Sequence, residues 1–149
     1  MNATIRPATL ADLPALTDLY HQLHPGEPPW PSEAAAAEVL AKVLAHPGTT
    51  ILVGTIDGRI INTCVLIVTP NFSRCGRPFA MIENVVTDNE HRQRGYGRQI
   101  VQHAIECARA EGCYRVTLMT GSKREETLRF YDGAGMRRNT KTAFEVRFI

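Results

Sequence analysis

Two hydrophobic periods alternate along this chain, and each change of period marks a predicted element. Thr4 to Ala8 reads as a short strand. Leu13, Leu16, Leu19, Tyr20 and Leu23 then repeat at helical spacing, which predicts a helix from about Ala11 to His24 capped by Thr9. The run Pro25-Gly26-Glu27-Pro28-Pro29-Trp30-Pro31 breaks it. Ser32 and Glu33 open a second helix through Ala45, with Val39, Leu40, Val43 and Leu44 as its apolar stripe. Thr49 to Ile56 and Arg59 to Val68 flank Asp57-Gly58, a two-residue hairpin signal. Beyond the polar loop Asn71 to Pro78, the pattern predicts a strand over Phe79 to Thr87, a helix over Gly97 to Glu111 and a strand over Tyr114 to Thr120. A helix over Glu125 to Gly133 follows, and Thr142 to Phe148 alternates as a final strand. No repeat, linker or low-complexity stretch interrupts this series. It predicts one α/β (α+β) domain over residues 1–149.

The densest chemistry lies where the apolar run Ile82-Glu83-Asn84-Val85-Val86 meets Arg92-Gln93-Arg94-Gly95-Tyr96-Gly97-Arg98. A strand, a glycine turn and a helix in that order aim backbone N–H groups and a positive helix end at one spot, which suits a phosphate. Gly95 and Gly97 allow close backbone approach, and Arg92, Arg94 and Arg98 deepen the positive field. A dinucleotide fingerprint would need a third glycine where Ile100 stands. A Walker-type loop would need a Gly-Lys-Ser/Thr sequence, and this turn has no lysine.

The turn instead resembles the Arg/Gln-x-x-Gly-x-Gly/Ala motif of the GNAT superfamily of N-acetyltransferases, met by Arg92, Gly95 and Gly97. Phe130-Tyr131-Asp132-Gly133-Ala134-Gly135-Met136 resembles a second signature of the same superfamily, Phe/Leu-Tyr-x-x-x-Gly-Phe, with Met136 in the aromatic place. The segment around Glu83 also resembles that of glucosamine-6-phosphate N-acetyltransferase members, which carry an acidic residue there. The resemblance implies a GNAT-type domain, a mixed sheet of about six to seven strands flanked by about four helices. It also implies acetyl-CoA as donor, and no metal. The main chains of Asn84, Val85 and Val86 would then hold the thioester and pantetheine arm. The turn Arg92, Gln93, Arg94, Gly95, Tyr96, Gly97 and Arg98 would hold the pyrophosphate.

Acetyl transfer to an amine needs a proton acceptor for the nucleophile, a donor for the oxyanion and a proton for the departing thiolate. Tyr131 is the candidate acid, because a phenol is protonated at neutral pH. Glu83 is the candidate base, as the lone ionisable residue in Ala80 to Val86, where a carboxylate is costly without a use. Its other reading is a strand-face charge paired with an arginine. Lys123 and Arg124 stand where phosphosugar-acetylating members tend to be acidic. They are read as partners of the coenzyme's 3′-phosphate or of an anionic acceptor, or as a solvated helix start. Glu27 and Trp30, in the proline-rich lid, are candidate acceptor-binding residues.

Composition narrows the partners. The 17 basic and 15 acidic residues nearly balance, which favours neither nucleic acid nor membrane. The chain has no 18-residue apolar run and no basic-then-apolar N-terminal segment, so a cytoplasmic protein is expected. Cys64, Cys75, Cys107 and Cys113 form no C-x-x-C pair and no metal-ligand spacing, and are expected to be reduced. The leading functional reading is an N-acetyltransferase acting on the primary amine of a small molecule. A lysine- or N-terminus-modifying protein acetyltransferase and a non-catalytic acyl-CoA sensor are its alternatives, and a homodimer is left open.

Overall fold

The computed structural model describes residues 2–148; Met1 and Ile149 lie outside them. Five strands form one sheet in chain order: β1 (Thr4–Pro7), β2 (Thr49–Ile56), β3 (Arg59–Thr69), β4 (Phe79–Thr87) and β5 (Val116–Leu118). The first three pairings are antiparallel and β4–β5 is parallel. The helices are α1 (Leu13–Leu23), α2 (Glu33–Ala45), α3 (Tyr96–Ala110) and α4 (Glu125–Gly133).

Strand alternation divides the core into two layers. Leu52, Cys64, Leu66, Ala80 and Ile82 face α3, whose Ile100, Val101, Ala104 and Ala108 are fully buried. Ile51, Val53 and Val65 point the other way, onto Leu16 of α1 and Leu40 of α2. Local chemistry sets the element ends. Asp57 (φ +49) and Gly58 (φ +78) make the tight β2–β3 turn, the left-handed pair that the Asp-Gly signal implies. Ser32 Oγ caps α2 by accepting from Ala35 N at 3.1 Å. The Asp12 carboxylate holds the start of α1, accepting from Thr9 N at 2.7 Å and from Arg6 at 2.8 and 2.9 Å.

The sheet corrects the sequence expectation in one respect: it has five strands, because Thr142 to Phe148 does not join it. A strand needs a paired edge, and the neighbouring edge strand β5 offers three residues. The chain is also tied elsewhere before it reaches that segment. Arg138 donates to Glu125 at 3.1 Å and to Asp132 at 2.6 Å, which fastens the tail to α4. Phe144, Val146 and Phe148 consequently stand in solvent, 93%, 74% and 92% exposed. Among the described residues, no helix is long and apolar enough to cross a membrane.

Candidate active site

A break in the sheet builds the site. Val65 lies opposite Glu83 and Thr63 opposite Val86, so Asn84 and Val85 share the single place facing Cys64. Two residues against one make a β-bulge, and Asn84 adopts φ +52 to accommodate it. On its other side β4 pairs with β5 from Ala80 opposite Val116 as far as Ile82 opposite Leu118. Among the described residues no strand lies beside that edge of β4 from Glu83 onward, which leaves main-chain groups of Asn84, Val85 and Val86 open to a ligand.

The turn after β4 is held from several directions. Asp88 Oδ2 accepts from Gln22 Nε2 at 3.0 Å and Oδ1 contacts His91 Nδ1 at 2.9 Å. These bonds, Gln22's before His91's, hold the Asp88 carboxyl below its usual range. Gln22 also accepts from Asn89 N at 2.9 Å, fastening the end of α1 to the turn. Asp88, Glu90 and His91 bring ligand-type atoms within 4.8 Å of one another, but two of the three groups are already engaged with each other. Gln93 (φ +60) and Gly95 (φ +85) then reverse the backbone into α3. Buried Asn62 fixes that helix start, donating to Tyr96 O at 2.8 Å.

The basic side chains predicted around this turn have distinct placements. Arg92 Nε donates to Thr87 O at 3.0 Å, bracing the turn against the end of β4. Arg94 is exposed. Arg98 packs against the end of α4: a Cβ on Gly133 would stand 2.7 Å from its Nη2. Lys123 is exposed, and Arg124 pairs with Glu126 at 2.7 Å.

Tyr131 approaches the bulge from the α3–α4 side. It packs on the core cluster that contains Cys64, with the Phe130 ring edge-on at 4.7 Å. Burial, then neighbouring Cys64 and Glu83, push its phenol above the ordinary value. Burial pushes the Cys64 thiol up to about 12, so this thiol is a neutral core group. Glu83 is half-buried. Directly opposed residues share a face of an antiparallel pair, so Glu83 sits on the Val65 side of the sheet. Among the described residues its carboxylate has no hydrogen-bond or ion-pair partner, unlike the arginine-paired reading.

On that Val65 side, α1, α2 and the sheet border a half-open pocket of about 210 Å³. Ile51 and Val65 form its floor, and Asn84 of the bulge reaches it. Trp30, half-exposed on the lid, lines it as well. Glu27 is exposed on the same lid, outside the lining residues. Asn84 and Trp30 thus line the cavity, Glu83 stands beside Asn84 but outside the lining residues, and Tyr131 and the phosphate turn approach from the other face.

Several supports were not singled out from the sequence. Asn62 carried a signal, as a polar residue inside Ile60-Ile61-Asn62-Thr63-Cys64-Val65, where burial demands a partner. Gln22 carried none, since its partner lies 66 positions away.

Comparison with known proteins gives the family. Glucosamine 6-phosphate N-acetyltransferase of Trypanosoma brucei brucei is 35% identical over 101 residues, covering 68% of this chain and 61% of that enzyme. The chain thus spans under two thirds of that relative's length. Glucosamine 6-phosphate N-acetyltransferase 1 of Oryza sativa subsp. japonica is 36% identical over 118 residues, 76% of this chain and 70% of its own. A solved structure described as an acetyltransferase from Agrobacterium tumefaciens str. C58 superposes with a TM-score of 0.93 at 44% identity, covering 97% of this chain and 99% of that one. Residues 13–136 match the family described as Acetyltransferase (GNAT) family, and the chain belongs to it.

Proposed function

We propose that the protein transfers an acetyl group from acetyl-CoA to the primary amine of a small molecule, by direct attack with both substrates bound. The bulge carries this reading. It lies where the β4 edge facing β5 is open beyond Ile82, beside a turn that ends in a helix N-terminus, a fit for an extended arm attached to a pyrophosphate. Family membership supports the same donor.

In this reading the main chains of Asn84, Val85 and Val86 bond the pantetheine arm and thioester. The N–H groups of residues 92–98 meet the pyrophosphate, and Arg94 and Lys123 are free to add charge. The amine nitrogen attacks the thioester carbon, the C–S bond breaks, and the sulfur takes a proton from Tyr131. Glu83 accepts the proton that the amine loses, directly or through water. The small pocket beneath α1 and α2, about 210 Å³, favours a small acceptor over a lysine on a protein surface.

An amine panel assayed by free-thiol release from acetyl-CoA, with calorimetry for donor binding, tests the proposal. Thiol release that depends on amine supports transfer. Tight acetyl-CoA binding without turnover on any amine would leave a sensor, and no binding at all would remove the donor assignment.

A further inference from the structure

Resting on the acetyl-transfer reading, we infer that the acceptor is a small amine with an apolar body, an arylalkyl or branched alkyl amine, and not a phosphorylated sugar. The cavity that would receive it is walled by Leu13, Leu16 and Tyr20 of α1, Val39 and Leu40 of α2, and Trp30 of the lid. No arginine, lysine or histidine is among its lining residues. A phosphate dianion taken out of water there would lack the paired cation or bidentate guanidinium that such a group requires.

Arg6 of β1 and Lys42 of α2 are committed elsewhere. Arg6 is held by both oxygens of Asp12, at 2.8 and 2.9 Å. Lys42 of α2 points outward and pairs with Glu38 at 2.7 Å, both largely exposed. The polar groups that do reach the cavity are Thr17, Tyr20 and Asn84, the last at the bulge. Glu83 lies beside Asn84, on the face shared with Val65. An amine head would therefore meet the bulge while its apolar body fills the space beneath α1 and α2. At about 210 Å³ the half-open pocket is smaller than the ~300–1,000 Å³ of drug-sized ligand sites and holds an apolar body of about one ring.

The test compares 2-phenylethylamine, 3-methylbutylamine and glucosamine 6-phosphate as acceptors with saturating acetyl-CoA. At least one apolar amine should exceed glucosamine 6-phosphate in kcat/KM by about 10²-fold or more. A preference for glucosamine 6-phosphate would overturn the apolar assignment while leaving acetyl transfer intact. No turnover of any amine by protein that binds acetyl-CoA would also overturn it. Failure of acetyl-CoA itself to bind would strike the underlying reading instead. As a second arm, Val39→Arg places a cation at the cavity wall, at a position already 42% exposed and able to bear it. The KM of the apolar amine should rise about tenfold or more with the acetyl-CoA Kd unchanged. An unchanged KM would show that the acceptor binds elsewhere.

Discussion

Gly97 and Phe130 interlock: a Cβ on Gly97 would stand 3.0 Å from Phe130 Cε2 and 3.1 Å from Cζ. The phosphate turn and the Phe-Tyr signature, 33 positions apart in the chain, therefore meet as one packed unit. The glycine allows the first turn of α3 to lie under the α4 ring that neighbours Tyr131. It thereby couples the position of the proposed acid to the proposed pyrophosphate site.

This contact separates bulk from charge. Gly97→Ala requires a small shift of the Phe130 ring, and Gly97→Asp adds a negative charge where an anion is expected. Acetyl-CoA affinity should fall modestly in the alanine variant and by at least about 10²-fold in the aspartate variant. Calorimetry on folded protein measures both. Equal affinities for the two variants would remove the pyrophosphate from this turn.

The Arg6–Asp12 pair predicts an acid-sensitive step in stability. The Arg6 hydrogen bond, against the cost of burial, lowers the Asp12 carboxyl from 3.8 to about 2. A carboxyl depressed in the folded state contributes its full stability above pH 3.8 and loses it as pH falls through about 2. With the Arg6 side chain 41% exposed, solvent screening limits the contribution to roughly 1–2 kcal/mol. Asp12→Asn should lower the Tm by roughly 2–8 °C at pH 7. The difference from the unsubstituted protein should shrink as pH approaches 2, read by thermal melts across pH.

Legibility from the sequence followed the range of the interaction. β2, β4, α2 and α4 fall on the expected bounds because hydrophobic period, the Ser32 cap and the Asp57-Gly58 turn all act within a few residues. The two signatures gave the family for the same reason. The bulge at Asn84 did not show, because it depends on Cys64 across the sheet. Arg98 read as part of a charged turn, yet Gly133 brings it against α4. Thr142 to Phe148 has a strand's alternation, but alternation does not provide an edge to pair with.

That unpaired segment bears on the homodimer left open by the sequence. Exposed Phe144, Val146 and Phe148 alternate along a tail outside the sheet, and β5 is an open edge. In a homodimer these two elements would form the contact between copies. Gel filtration with light scattering should give a dimer, and removal of residues 142–149 should give a monomer. A full chain that runs as a monomer at assay concentration would refute the pairing.

Tyr131→Phe keeps the ring beside Phe130 and removes one proton donor. The raised phenol pKa keeps Tyr131 protonated throughout the neutral range. The variant should lose roughly 10–10³-fold in kcat, with acetyl-CoA Kd nearly unchanged. Unaltered turnover with the best amine would return Tyr131 to a packing role.

Glu83→Gln tests the acceptor-side proton. The carboxylate stands beside the bulge, half-buried, and among the described residues it has no cation to hold. A structural ion pair would make the substitution destabilising, but the placement of Glu83 offers no such bond to break. The Tm should therefore stay within about 1–2 °C of the parent protein, as for a change that breaks no buried pair. kcat/KM should fall by roughly 10²–10⁴-fold, the loss expected for one positioned general base. Amide in place of carboxylate preserves size and most hydrogen bonding, so a fall at constant Tm isolates proton acceptance. A lowered Tm with near-normal turnover would place Glu83 in the scaffold. The proton would then leave through ordered water, or the amine would arrive already neutral.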